Sequence, residues 1–243
     1  MYLYGFTTFA GIDKVMKLDR DDLWFSVGDL LQSDDEYFLV LGDEVSFVEQ
    51  YTARFPKDRK LELIYSGFVS KKYIDRVHWM VAQYYSTYRS VMKYFLNQDI
   101  ELLLKKEITK KSKWLNKIQL KSELFGIDCV AEKGQTLIVY PDLWTMYMMV
   151  DKSVRDEAGV LLLGSSDTQV KKDKAFWQVK HGLVKYVLVT HAELFQDFKD
   201  LKAVVLVHPY KRYYANQQDP RYKTPEVLSY LADIWKIKLE QVD

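Results

Sequence analysis

The chain has 243 residues, of which 48% are hydrophobic and 28% are charged, a composition that predicts a folded protein and excludes a disordered one. Its formal net charge is +1, so binding to nucleic acid would have to come from local patches of positive charge. Its single cysteine, Cys129, excludes a disulfide framework within the chain and a zinc site made of several cysteines. The apolar surroundings of Cys129 fit a buried inert thiol, and a reactive thiol is the alternative.

The N-terminal residues do not combine a basic region with a long apolar run, so we expect no signal peptide. No apolar stretch approaches the roughly 20 residues that a membrane-spanning helix needs. The sequence therefore predicts a cytoplasmic protein that makes no contact with a membrane.

Residues 1–68 have the composition of a small β-rich domain. Strands are predicted at residues 37–42 and 61–68, with glycine and aspartate between the apolar runs. We expect the acidic residues of this region to form a solvated surface, because they lack the spacing of a metal-binding loop. These residues are Asp29, Asp34, Asp35, Glu36, Asp43, Glu44 and Glu49.

Residues 69–122 are predicted to form a helical segment that ends in a lysine-rich linker. Apolar side chains recur at steps of three or four over residues 72–96, which predicts one amphipathic helix that carries a stripe of tyrosines. The stripe fits a face packed into a core, and a binding platform is the alternative. His78 lies on this helix and is interpreted as a partly buried histidine with satisfied hydrogen bonds.

Residues 105–121 have the strongest local charge bias of the chain, with seven lysines against the single acid Glu107. This bias fits a soluble linker, and it fits equally a patch that follows nucleic-acid phosphates with Trp114 among the lysines. The candidate nucleic-acid contacts here are Lys106, Lys110, Lys111 and Lys113.

Residues 123–243 contain four short apolar runs, at 136–140, 159–164, 186–190 and 203–207. Segments with helical character, at 142–154, 167–181 and 192–201, separate these runs. Continuous apolar strands that alternate with helices predict an α/β domain with a doubly wound parallel sheet, covered on both faces. Such sheets bind ligands at the carboxyl ends of their strands.

Two requirements for nucleotide hydrolysis are not met by the sequence. The phosphate-loop pattern G-x-x-x-x-G-K-[ST] occurs nowhere, and the closest fragment, residues 132–136, has one glycine and the wrong order. Magnesium would need a carboxylate at a strand end, but the last apolar run leads into Val207, His208, Pro209 and Tyr210. We therefore expect no nucleotide cofactor and no metal.

The remaining candidates for chemistry also follow predicted strands. The four histidines do not have a metal-ligand spacing, but His191 and His208 both follow strand ends and could lie near each other. Gly164, Ser165 and Ser166 could form a small anion-binding nest of backbone N–H groups.

The loop after the fourth run interleaves cations with aromatic rings. Arginines and lysines contact phosphates, and tyrosines offer stacking surfaces to bases, so this loop is a candidate nucleic-acid interface. The alternative is a surface loop that packs its tyrosines on its own domain. The candidate contacts are Lys211, Arg212, Tyr213, Tyr214, Arg221 and Tyr222.

Motifs in the second and third regions follow one another in a recognisable order. Residues 134–142, GQTLIVYPD, are similar to a G-Q-x-L-V-L-V-P-E motif, and residues 189–195, VTHAELF, are similar to G-T-R-S-A-L-F. The run at 201–206 aligns without gaps with a strand that precedes D-E-E-H, with Val207, His208, Pro209 and Tyr210 at those four positions. A loop tyrosine and R-Y follow at matching spacing, and an A-x-W-[IM]-A-x-Y-Y segment precedes them. The positions that match these last features are Trp79, Ala82, Tyr84, Tyr85, Tyr214, Gln217, Arg221 and Tyr222.

In this order the motifs resemble the family of primosomal protein N′, the PriA replication-restart helicase, over about residues 60–235. The resemblance implies a RecA-like helicase lobe at residues 123–243 and a DNA-binding domain at residues 1–68. The family's Walker A segment, Walker B acids, zinc cysteines and second helicase lobe have no counterparts here. Because these groups contribute separately to phosphoryl transfer, the resemblance implies a degenerate lobe without ATPase activity.

The sequence therefore predicts a catalytically inactive, PriA-like DNA-binding protein. It would contact branched or single-stranded DNA during replication restart or primosome assembly, with replication or primosome proteins as further partners. One alternative is a protein-interaction scaffold that binds no nucleic acid. A second is a residual enzyme on the α/β lobe that uses His191 and His208.

Overall fold

The structure is a computed structural model that describes residues 1–6, 15–19, 24–45, 53–107, 118–128 and 130–243. It divides into two compact units, Met1–Leu102 and Leu103–Asp243. The predictions for Glu49, Trp114 and Cys129, and those for Lys110, Lys111 and Lys113, lie outside the described residues. Within the described ranges, no helix is both long enough and apolar enough to cross a membrane.

The first unit is built on a six-stranded mixed sheet in the order β5-β2-β1-β4-β3-β6. Its neighbouring strands are antiparallel except for the pair β2 and β5, which is parallel. This sheet confirms the predicted β-rich region and the two predicted strands in it. The strands are β1 (Tyr2–Gly5), β2 (Val15–Lys17), β3 (Leu30–Ser33), β4 (Glu36–Gly42), β5 (Ala53–Arg54) and β6 (Glu62–Tyr65).

The prediction of one long helix over residues 72–96 is wrong, because the chain breaks there into α1 (Lys71–Gln83) and α2 (Tyr88–Phe95). Tyr85 adopts a left-handed backbone conformation with φ of 48°, which an α-helix cannot contain. Thr87 then caps α2 by accepting a hydrogen bond from the N–H of Ser90. The apolar period continues across the break because each helix has its own buried face. A short third helix, α3 (Ile100–Leu104), follows.

His78 ties α1 to the first sheet. Its Nε2 lies 3.0 Å from the carbonyl oxygen of Leu41 on β4, and its Nδ1 lies 2.6 Å from the hydroxyl of Tyr88 on α2. A carbonyl only accepts, so Nε2 carries the proton and Nδ1 accepts from Tyr88. The interpretation of His78 as a satisfied, partly buried histidine is confirmed. The helices α1 and α2 belong to the same unit as the sheet, whereas the sequence placed them in a separate segment.

Asp29 does not belong to a solvated acidic surface, which corrects that part of the prediction. It is 3% exposed, and its carboxylate accepts hydrogen bonds from the N–H groups of Ser26 and Gly67, both at 2.7 Å. The carboxylate joins two turns that are distant in sequence, and no local pattern contains that information. Asp34, Asp35 and Asp43 are exposed as predicted.

The second unit is built on a five-stranded parallel sheet in the order β11-β10-β7-β9-β8. All four predicted strands are present, so the prediction of a mixed α/β fold with a parallel sheet is confirmed. The strands are β7 (Gln135–Tyr140), β8 (Val160–Leu163), β9 (Tyr186–Thr190), β10 (Leu201–Val207) and β11 (Leu239–Val242).

Helices cover both faces of this sheet: α4 (Leu143–Met149), α5 (Gln169–Lys180) and α6 (Thr224–Trp235). Alternate side chains of the strands, such as Ile138 and Tyr140, pack with Met146 of α4 on one face. On the other face, Gln135 donates hydrogen bonds to the carbonyl oxygens of Val179, at the end of α5, and Val184. The segment 192–201, predicted to be helical, instead contains a short 3₁₀ turn (His191–Glu193) followed by irregular backbone into β10.

Candidate nucleic-acid interface at the carboxyl edge of the parallel sheet

The chain order of the second sheet defines where a ligand crevice should lie. From β7 the chain proceeds to β8 on one side of the sheet, and from β10 it proceeds to β11 on the other side. In open α/β sheets a crevice forms between two neighbouring strands whose connections leave in opposite directions. In this unit those strands are β7 and β10, so the crevice lies at their carboxyl ends.

Tyr214 occupies this position. Its hydroxyl lies 3.0 Å from the carbonyl oxygen of Val139 on β7 and 2.5 Å from that of Val207 on β10. Only 3% of the side chain is exposed, and burial raises the pKa of the phenol, helped by the nearby carboxylate of Asp142 and the hydroxyl of Tyr140. The phenol is therefore neutral at physiological pH and donates its proton to the two strand ends.

The four positions that align with the D-E-E-H motif complete β10 and turn the chain. Val207 is fully buried, and the N–H of His208 donates to the carbonyl oxygen of Val242 on β11 at 2.6 Å. His208 has a left-handed φ of 49°, and it is followed by Pro209 and by Tyr210, which is 87% exposed. This strand end thus presents an aromatic ring to solvent where a nucleotide-hydrolysing protein would present carboxylates.

Carboxylates do follow the other strands, but each is engaged within the protein. Asp142, after β7, caps α4 by accepting from the N–H of Thr145 at 2.7 Å. Asp167, after β8, accepts from the N–H of Gly164 at 2.8 Å and pairs with Lys171 at 2.9 Å. The N–H of Gly164 in the predicted anion nest therefore already bonds a carboxylate. In the described part of the chain, no group of three or more histidine, cysteine or acidic side chains could hold a metal ion.

Glu193, after β9, pairs with Lys172 at 2.7 Å in a site that is largely shielded from water. Burial raises the pKa of Glu193, although Lys172 opposes this effect. The two charges therefore neutralise each other within the protein. Lys171 and Lys172 are consequently poor candidates for binding an external anion.

The cations of the loop between β10 and α6 are in a different state. Lys211, Arg212 and Arg221 are exposed, and no carboxylate of the described residues forms an ion pair with them. The guanidinium of Arg212 lies 6.0 Å from the ring centre of Tyr213, and 52% of that tyrosine is exposed. An unpaired, exposed cation beside an exposed aromatic ring can contact a phosphate and a base at once.

Two tyrosines of the predicted interface are not available for such contacts. Tyr214 fills the crevice, and Tyr222 is 1% exposed, with its hydroxyl donating to the carbonyl oxygen of His191 at 3.1 Å. The ring of Tyr222 also packs edge-on against Phe195. Both rings anchor the loop to the domain, as the alternative interpretation of the loop expected, so their faces are closed to base stacking in this structure.

The loop itself is held in one conformation by its own backbone. The N–H of Tyr214 donates to the carbonyl oxygen of Lys211, and that of Asn216 donates to that of Tyr222. The side-chain amide of Asn216 donates to the carbonyl oxygens of Gln218 and Pro220. Two buried tyrosines anchor this backbone to the domain, and the exposed cations Lys211, Arg212 and Arg221 lie between or beside them.

The remaining candidate residues, Lys106, His191 and His208, are not shown to take part in this interface. Lys106 is half-buried and precedes a stretch outside the described residues, so its predicted role remains a prediction. For His191, burial lowers the pKa, with a hydrogen bond to the carbonyl of Pro141 opposing the shift. Its Nδ1 is buried and has no hydrogen-bond partner in the described structure. No hydrogen bond joins the side chains of His191 and His208 in the described structure.

Sequence reasoning missed one feature of this edge, an exposed apolar surface on α4. Trp144 is 72% exposed, Met148 is 67% exposed and Tyr147 is 46% exposed. The available signal was the composition of α4, LWTMYMM, which is apolar on every side of the helix except at Thr145. A short helix with no polar face must expose apolar side chains if only one side is buried.

Comparison with protein-family models and with curated proteins gives no match to this chain. The likeness to the PriA family therefore rests on the sequence motifs quoted above.

Proposed function

We propose that this protein binds nucleic acid through the carboxyl edge of its parallel sheet and does not hydrolyse nucleotides there. The second unit would be a degenerate RecA-like lobe, and the protein would act as a PriA-like DNA-binding protein at branched or single-stranded DNA. Replication or primosome proteins would be its further partners, as the sequence resemblance implies.

One observation carries this proposal: the crevice between β7 and β10 is filled by Tyr214, while the same loop displays exposed, unpaired cations. The hydroxyl of Tyr214 bonds both strand ends, so a nucleotide phosphate would have to displace a buried side chain. Lys211, Arg212 and Arg221 remain free to meet phosphates. This combination supports the binding of a polyanion on the outer surface of the edge rather than of a nucleotide within it.

The experiment compares single-stranded, duplex and forked DNA by fluorescence anisotropy, with the wild type beside the double variant Lys211→Gln, Arg221→Gln. Both side chains are exposed, so the substitutions should leave the fold intact. The matched control is Lys133→Gln, Lys202→Gln, which removes two exposed cations at the opposite edge of the same sheet. We expect the first double variant to weaken binding and the control to bind like the wild type.

An equal loss in both double variants would show that only overall charge matters, and it would contradict the assignment of the site. If the wild type binds no DNA at low salt but captures a stable protein partner, the scaffold alternative replaces this proposal. ATP hydrolysis by the purified chain, lost on substitution of His191 or His208, would support the enzyme alternative.

A further inference from the structure

The second unit exposes several large apolar side chains. Those with large exposed fractions among its described residues all follow the carboxyl ends of β7, β8 and β10. They are Trp144, Tyr147, Met148, Val170, Tyr210 and Tyr213. Three of them lie on the single helix α4, and neighbouring exposed apolar groups mark an interaction surface more reliably than single exposed residues do.

The start of α4 and the basic loop both meet the carboxyl end of β7. The hydroxyl of Tyr214 in the loop bonds the carbonyl oxygen of Val139 on β7, and the chain runs from this strand end through Asp142, the N-cap of α4, to Trp144. At the other end of α4, the guanidinium of Arg155 donates to the carbonyl oxygens of Tyr147 and Val150 and lies 5.1 Å from the ring centre of Tyr147. Arg155 therefore places a cation beside an exposed aromatic ring of α4.

We infer that the edge binds single-stranded nucleic acid, with a base stacked on Trp144 while the loop cations hold the phosphates. This inference rests on the proposed function and adds the structure of the bound strand to it. Unpaired bases expose π-faces that stack on aromatic rings, whereas a duplex hides these faces between neighbouring base pairs. Trp144 has the largest exposed ring system of the edge, so it is the residue that selects the single strand.

A second copy of the chain is a weaker candidate for this surface. The three exposed side chains of α4 offer on the order of 400 Å², about half of what each partner buries in a standard protein interface. A polyanion with apolar bases complements both the rings and the cations.

The test separates stacking from phosphate binding by comparing labelled oligothymidine with an abasic oligonucleotide of the same length and charge. Trp144→Ala should weaken binding of oligothymidine by roughly 5- to 150-fold, the range for one stacked base, and leave binding of the abasic strand unchanged. The control is Leu102→Ala, which removes an apolar side chain that is 47% exposed and lies outside residues 1–68 and outside the predicted interface. It should change neither affinity.

The outcomes distinguish this inference from the proposed function. If Lys211→Gln, Arg221→Gln weakens both oligonucleotides but Trp144→Ala weakens neither, nucleic-acid binding stands and stacking on Trp144 is refuted. If Trp144→Ala weakens both oligonucleotides equally, it acts through the fold or through phosphate contacts, and the inference fails. If the wild type binds neither oligonucleotide, both proposals fail. If Trp144→Ala abolishes binding to a protein partner and changes neither oligonucleotide affinity, the surface binds protein and the inference fails.

Discussion

Replacing Tyr214 with phenylalanine tests whether its hydroxyl holds the side chain in the crevice between β7 and β10. The substitution keeps the ring but removes the hydroxyl that bonds the carbonyl oxygens of Val139 and Val207. The two carbonyl oxygens share one hydroxyl proton and both lose it, so the free energy of unfolding should fall by about 1–2 kcal/mol. With a urea dependence of about 2 kcal/mol per molar, the midpoint of denaturation falls by roughly 0.5–1 M.

The neighbouring Tyr213→Phe is the matched control, because 52% of Tyr213 is exposed, and it should shift stability by less than about 0.5 kcal/mol. A pH series adds a second readout. Since burial raises the pKa of Tyr214 in the folded state, its contribution to stability is present below pH about 10 and is lost as pH rises further. Tyr214→Phe should therefore lose stability less steeply above pH 10 than the wild type. Equal urea midpoints for the two variants would refute the account of Tyr214 as the residue that closes the crevice.

Two further predictions concern buried hydrogen bonds. The side chain of Gln135 is fully buried, donates to two carbonyl oxygens and accepts from the N–H groups of Lys199 and Asp200. Gln135→Met should therefore lower the free energy of unfolding, measured by urea denaturation, by about 3–5 kcal/mol. Gln241→Met, at an exposed site on β11, is its control, and an equal effect would contradict the role of these bonds. Burial lowers the pKa of His78, so the folded state takes up a proton less readily than the unfolded chain and stability should fall as pH drops below about 6.5. His78→Gln should flatten this fall between pH about 7.5 and 5.5; a slope identical to that of the wild type would contradict the assignment.

The strands of the second sheet could be predicted because strands buried on both faces appear as continuous apolar runs. Residues 203–207 illustrate this, since all five are buried in the structure. The edge strand β11 has no such run, because its sequence, LEQV, is only partly covered. Helix α6 was not among the predicted elements, although its sequence has a helix signal: a proline in the first turn followed by apolar residues at helical spacing.

The contacts that define the site could not be predicted from local pattern. Tyr214 bonds a carbonyl 75 positions away in the chain, and Tyr222 bonds one 31 positions away. Both residues looked identical to Tyr213 in the sequence, yet two are anchors and one is exposed. The exposure of the cations was predictable because lysine and arginine side chains are ordinarily exposed to solvent. Lys211 and Arg221 are exposed in the structure.

The most direct test of the central claim is the salt dependence of single-stranded DNA binding. The proposal predicts that the logarithm of the binding constant falls linearly with the logarithm of salt concentration between about 50 and 200 mM. Lys211→Gln, Arg221→Gln should reduce the magnitude of that slope by about 1.4, because each phosphate contact on a single strand contributes about 0.7. The control Lys133→Gln, Lys202→Gln should keep the wild-type slope. A wild-type affinity that does not depend on salt, or a slope that changes equally in both double variants, would contradict the claim that this edge binds nucleic acid.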